Sequence, residues 1–143
     1  MRKLTLSTAE TIISAAFEKA AELSLKPLTV VVLDAGGHAI GLKRQDGSSI
    51  MRPQIATGKA VGALAVGTGT RWLNANAETR PHFVNALNGA SGGAIIPVPG
   101  GVLVKNEEGE TLGAVGITGD TSENDEACAV AGIEAVKLVA DCG

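Results

Sequence analysis

The 143-residue sequence has no tyrosine, one tryptophan and two phenylalanines, so aromatic residues make up only 2% of it. Its formal net charge is −3. A nucleic-acid surface needs basic patches or aromatic stacking platforms, so no nucleic-acid partner is expected. Cysteine is almost as scarce: Cys128 and Cys142 fit neither a metal nor a redox spacing. The two histidines, His38 and His82, are too far apart in sequence for a zinc motif, so no metal site is expected. No apolar run reaches the ~18 residues of a membrane span, and no membrane partner is expected. Met1–Lys3 leads into a polar, capped helix rather than an apolar core. No signal peptide is therefore expected, and a reduced, cytoplasmic setting is. There is no Walker, dinucleotide or Gly-x-Ser-x-Gly pattern.

Glycine, by contrast, is abundant: 19 of 143 residues, about 13% against a usual share of ~7%. With 45% hydrophobic and 19% charged residues, the composition is that of one globular domain, residues 1–143, with close backbone packing.

Ser7-Thr8-Ala9-Glu10 reads as a capping box. Ala9, Ile12, Ile13, Ala16, Phe17, Ala20 and Leu23 then share one helical face, which predicts an amphipathic helix ending near Leu25. Two hairpins are predicted from apolar runs around polar turns. The first pairs Leu28–Leu33 with Ala39–Lys43, and the second pairs Gly101–Lys105 with Thr111–Thr118. Between them, a small-residue helix from Arg52-Pro53 to Val66 is expected to be mostly buried. A short helical turn is expected around Arg71-Trp72-Leu73, and a short helix from Pro81. A last helix starts at Ser122, with Asp125 as a capping-box partner, and its periodicity is followed through Lys137 to Asp141. The order predicts an α/β (α+β) domain with an antiparallel sheet flanked by helices. The large apolar faces of the Arg52 and Ser122 helices predict a homo-oligomer that covers the excess.

Lys59 and Asp125 are each the odd charge on an apolar helical side. A buried unpaired charge is costly, so the two are expected to face one glycine-walled pocket near Gly92-Gly93. Each also has a plainer role, Lys59 snorkelling to the surface and Asp125 capping its own helix. The Gly92-Gly93 and Gly100-Gly101 amides would suit an anion, with Arg52 two turns back from Lys59 and Glu126 beside Asp125. His82 is a candidate axial haem ligand, as against a solvated surface histidine; His38 sits at a hairpin turn. Cys128 is expected to be a structural thiol.

At these residues the chain resembles the GlcG/HbpS family, which includes the C-terminal domain of PduO-type proteins. The resemblance rests on Val-Val-Val-Leu-Asp-Ala-Gly-Gly-His at 30–38, Thr-Gly-Lys-Ala at 57–60 and Gly-Gly-Ala-Ile-Ile-Pro at 92–97. It also rests on Gly-Ala-Val-Gly-Ile-Thr-Gly at 113–119, ahead of Asn-Asp-Glu at 124–126. It implies a profilin-like domain with a five-stranded antiparallel sheet, homo-oligomeric assembly, and haem or corrinoid binding in some members. The ligating histidine that PduO-like members carry on the first helix has no counterpart in Thr-Ile-Ile-Ser-Ala-Ala-Phe at 11–17. Two functions follow. One is a small-ligand-binding protein, for haem or a related tetrapyrrole, accessory to a metabolic operon. In that case His82, Lys59, Arg52, Gly92, Gly93, Asp125 and Glu126 are the candidate binding residues. The other is an enzyme or sensor that acts on an anionic, carboxylate-bearing metabolite through Lys59 and Asp125.

Overall fold

The structure, a computed structural model, describes residues 3–143. Leu6–Glu22 forms α1, followed by the hairpin of β1 (Thr29–Asp34) and β2 (Ala39–Arg44). Three helices follow: α2 (Arg52–Val66), α3 (Arg71–Thr79) and α4 (Pro81–Ala90). The second hairpin is β3 (Gly101–Lys105) and β4 (Thr111–Thr118); α5 (Ser122–Ala135) and β5 (Val139–Asp141) close the chain. The strands form one antiparallel sheet in the order β2-β1-β4-β3-β5. Both hairpins expected from the sequence are present, and the α+β class with a five-stranded antiparallel sheet is the one found.

The pleat of β4 divides the core in two. Val115 and Ile117 join Val30 and Val32 against α1 and α5, in a cluster that includes Ile12, Ile13, Cys128 and Ile133. Ala114 joins Val31, Leu33 and Leu103 against Ala56, Ala60 and Ala63 of α2. The α2 layer lies unusually close to the sheet. A Cβ on Gly116 would stand 1.9 Å from the Ala56 carbonyl oxygen, and one on Gly101 would stand 2.1 Å from that of Lys59. Glycine in these strands therefore serves close backbone approach.

Several sequence expectations need correction. The N-cap of α1 is Thr5, whose Oγ1 accepts from Thr8 N at 3.1 Å, and Ser7 already lies inside the helix. Strand β1 begins at Thr29 rather than Leu28. The turn around Trp72 is a full helix of 9 residues. The N-cap of α5 is Thr121, which accepts from Asn124 N, so Ser122 and Asp125 do not form a capping box. That helix stops at Ala135, and Lys137 has a left-handed backbone with φ 60°. The residues beyond it, expected to be helical, pair with β3 as a fifth strand. Asp141 fastens that strand through Lys105 Nζ at 2.7 Å and Thr68 Oγ1 at 2.9 Å.

One side of α2 packs on the sheet, and one side of α5 packs on the sheet and α1. Large apolar groups are exposed at Ile50 and Met51 ahead of α2 and at Trp72 on α3, and also at Leu6, Leu23, Leu42 and Val139.

Candidate functional site

Helix α2 starts with Pro53 in its first turn, and Arg52 and Lys59 descend from it toward the end of β4. Arg52 donates from Nη1 to Thr118 Oγ1 at 2.7 Å and from Nε to Ser49 Oγ at 3.2 Å. Lys59, only 2% exposed, donates from Nζ to the Ile117 carbonyl at 2.9 Å and to Asp125 Oδ2 at 3.2 Å. Asp125, 1% exposed, accepts the Asp120 N–H on its other oxygen at 3.0 Å. The two odd charges of the sequence thus meet. They do so as a buried, internally satisfied pair rather than on an open pocket wall.

The glycine beside this pair is Gly100, where a Cβ would fall 2.9 Å from Lys59 Nζ and 2.7 Å from the Ile117 oxygen. Burial lowers the Lys59 pKa and raises that of Asp125, each opposed by the charge of the other. Around the pair, Asp120 accepts from Asn124 Nδ2, Lys26 N and Thr121 N, which hold its pKa down at about 2.

The remaining candidates are dispersed. Glu126 faces α3 and forms a bidentate pair with Arg71, 2.9 Å at its shortest. The Gly92 and Gly93 amides cap α4, donating to Gly89 O and Asn88 O, and so are engaged rather than offered as an anion nest. His82 is exposed on α4. Cys128 is fully buried, and burial pushes its thiol pKa up to about 11. Among the described residues, no cluster of three or more His, Cys, Asp or Glu could hold a metal ion. No helix among them is long and apolar enough to cross a membrane.

Sequence reasoning did not anticipate a groove of about 530 Å³ between the outer face of α2 and residues 93–96. Met51, Pro53, Ile55, Val61 and Ile96 supply apolar walls, and Gln54 and Thr57 supply polar points. Gly58 forms its base: a Cβ there would meet Ile96 Cγ1 at 2.5 Å. Gly93 contributes one wall. The groove has the size and apolar character of a small-molecule site. Its signal in the sequence was the pair Ile50-Met51, two large apolar residues just ahead of α2. These are 86% and 61% exposed.

A family model described as "Haem degrading protein HbpS-like" matches residues 4–134. Among solved structures, the chain is similar to a PduOC:heme complex, at 25% identity and TM-score 0.86, over 96% of this chain and 98% of that one. It is also similar to the Klebsiella pneumoniae protein ORFY, at 26% identity and TM-score 0.84, over 94% and 92% of the two chains. A double mutant of HbpS from Streptomyces reticuli shares the fold, at 24% identity and TM-score 0.80, over 95% and 88%. No curated protein sequence matches. The family match spans both hairpins, α2 with Lys59, and the Asp125 end of α5, and on that ground the chain belongs to the HbpS-like family.

Proposed function

We propose that this protein binds haem or a related tetrapyrrole such as a corrinoid, in the groove on the outer face of α2. The observation that carries this reading is the groove itself, at about 530 Å³, with an iron-ligand candidate at its mouth. Met51 is exposed there, and a methionine thioether is an established axial ligand of haem iron. Pro53, Ile55, Val61 and Ile96 provide the apolar contact that a macrocycle face needs. Arg52 adjoins Met51 and has no acidic partner among the described residues, and its Nη2 makes no hydrogen bond there. Its guanidinium suits a propionate. The family description and the similarity to a haem complex support the same reading. The bound group would supply redox-active iron; the chain supplies the ligand, the apolar walls and the cation.

The alternative, chemistry on a carboxylate by Lys59 and Asp125, has less support. Both groups are buried and spend their hydrogen bonds on each other and on backbone. Their role in this reading is to hold α2 in place beneath the groove. A homo-oligomer is part of the proposal: Ile50, Met51 and the Trp72 face of α3 are the apolar surface that a second copy would cover.

The test is a haemin titration followed in the Soret region. The wild type is expected to give a saturable band, Met51→Leu to shift the band and weaken binding, and His82→Ala to leave both unchanged. A band lost in His82→Ala and kept in Met51→Leu would place the ligand elsewhere. No band at all would remove the haem reading. Light scattering that gives the mass of a single chain at all concentrations would remove the oligomer.

A further inference from the structure

A second cavity lies at the other end of the sheet. The Lys59 pair lies near the Thr118 end of β4; this cavity opens at its Thr111 end, on the α1 side of the sheet. Its volume is about 330 Å³. That is too small for a tetrapyrrole and at the lower bound for small-molecule sites.

The cavity has a polar rim and an apolar floor. On the rim, the turn after β1 is built on Asp34. Its Oδ1 accepts the Gly36 N–H at 2.9 Å and the His38 N–H at 3.0 Å, and it lies 3.3 Å from His38 Nδ1. The backbone donor of His38 is the leading cause of a lowered Asp34 pKa, so this carboxylate is ionised and its charge is spent on the turn. The His38 ring lies over Gly36, where a Cβ would come within 3.0 Å of Nδ1. A carboxylate at Nδ1 fixes that nitrogen as the donor. Nε2 makes no hydrogen bond among the described residues. Lys3 stands on the same rim, and Leu4, Ile40 and Leu112 form the floor. All three floor residues belong to the α1-side core, so the floor is held rigidly.

Two nitrogen cations or donors above a small apolar floor match a particular ligand chemistry. We infer that the Asp34–His38 turn, Lys3 and the Leu4–Ile40–Leu112 floor form a second site, for a small monocarboxylate with a short aliphatic tail. The carboxylate sits between Lys3 and His38, and the tail lies on the leucines and Ile40. Asp34 keeps its negative charge, with Oδ1 engaged by its own turn, and the anion is placed away from it, at Nε2 on the far side of the imidazole and at Lys3. The function of Asp34 is to orient the imidazole. Met51, Arg52, Lys59 and Asp125 take no part in this site, so it stands or falls apart from the tetrapyrrole reading.

The test is an NMR titration of the isotope-labelled full chain with sodium butyrate, against matched sodium chloride and against neutral butyramide. Butyrate is expected to shift the Gly36, Gly37 and His38 amides and the Leu4 and Leu112 methyls together, to saturation. Butyramide and the His38→Gln variant should each bind about tenfold more weakly, the loss of one charge-assisted contact. His38 is exposed, so its replacement spares the core; Lys3→Gln repeats the test without touching the turn. Equal shifts from butyrate and butyramide would overturn the inference. So would binding unchanged in both variants, or shifts confined to the Met51 groove.

Discussion

Lys59 and Asp125 sit on helices that pack against opposite faces of the sheet, yet their charged atoms meet 3.2 Å apart. The contact passes beside Gly100, a position where a side chain would collide with the lysine. It ties the two helical layers together at one end of β4.

Removing one member should therefore damage the fold rather than ligand binding alone. Lys59→Met leaves a buried carboxylate without its cation, and a loss of about 3–5 kcal/mol is expected. Adding Asp125→Asn, which keeps an acceptor for the Asp120 N–H, should recover most of it. Urea midpoints at constant slope would measure both changes. With the lysine gone, burial and the neighbouring Asp120 charge raise the Asp125 pKa, opposed only by the Asp120 N–H. The folded state then holds the proton more tightly than the unfolded chain, and the deficit of Lys59→Met should shrink as pH falls.

Asp120 gives an acid limit of the opposite sign. Its folded pKa, depressed to about 2 from 3.8, means that the unfolded chain takes the proton first. The stability it contributes is complete above pH 3.8 and is lost as pH falls toward about 2. Asp120→Asn should be less stable than the wild type at neutral pH, with the gap closing across that window. Parallel urea melts would show it; a gap independent of pH would contradict the assignment.

The start of α1 can be tested by its cap. Thr5→Ala should cost about 1 kcal/mol, since its hydroxyl satisfies an end amide. Ser7→Ala should be nearly neutral or slightly stabilising, since Ser7 lies within the helix. Thermal melts that rank the two variants the other way would restore the capping box read from the sequence.

Gly116→Ala should be strongly destabilising. The added methyl has no room against the Ala56 carbonyl, and α2 must lift from β4, at a cost of about 1–3 kcal/mol or more. A melting temperature within 2 °C or so of the wild type would show that the layer is softer than its geometry implies.

The sequence was most legible where local pattern and tertiary need agree. Each hairpin announced itself by two apolar runs around a turn, and the mutual need of Lys59 and Asp125 followed from two charges on apolar faces. It was least legible where a long-range partner decides. Val136, Leu138 and Val139 prolong the apolar pattern of α5. The break at Lys137 uses a left-handed backbone without the glycine that would flag it. What converts the tail to a strand is the free edge of β3, with Lys105 and Thr68 waiting for Asp141. The groove was hidden for a similar reason. Its walls come from α2 and from residues 93–96, and only the fold sets them side by side.

The close seating of α2 bears on how such a chain can diversify. Its inner face is frozen by contacts at backbone distance, Ala56 on Gly116 and Lys59 on Gly101, where almost no substitution fits. Its outer face carries Met51, Ile55 and Thr57, which line the groove and belong to neither core cluster. Substitutions there can retune what is recognised without reopening the question of whether the chain folds. One helix thus separates an invariant chassis from an adjustable surface, and each side is free to follow its own selection.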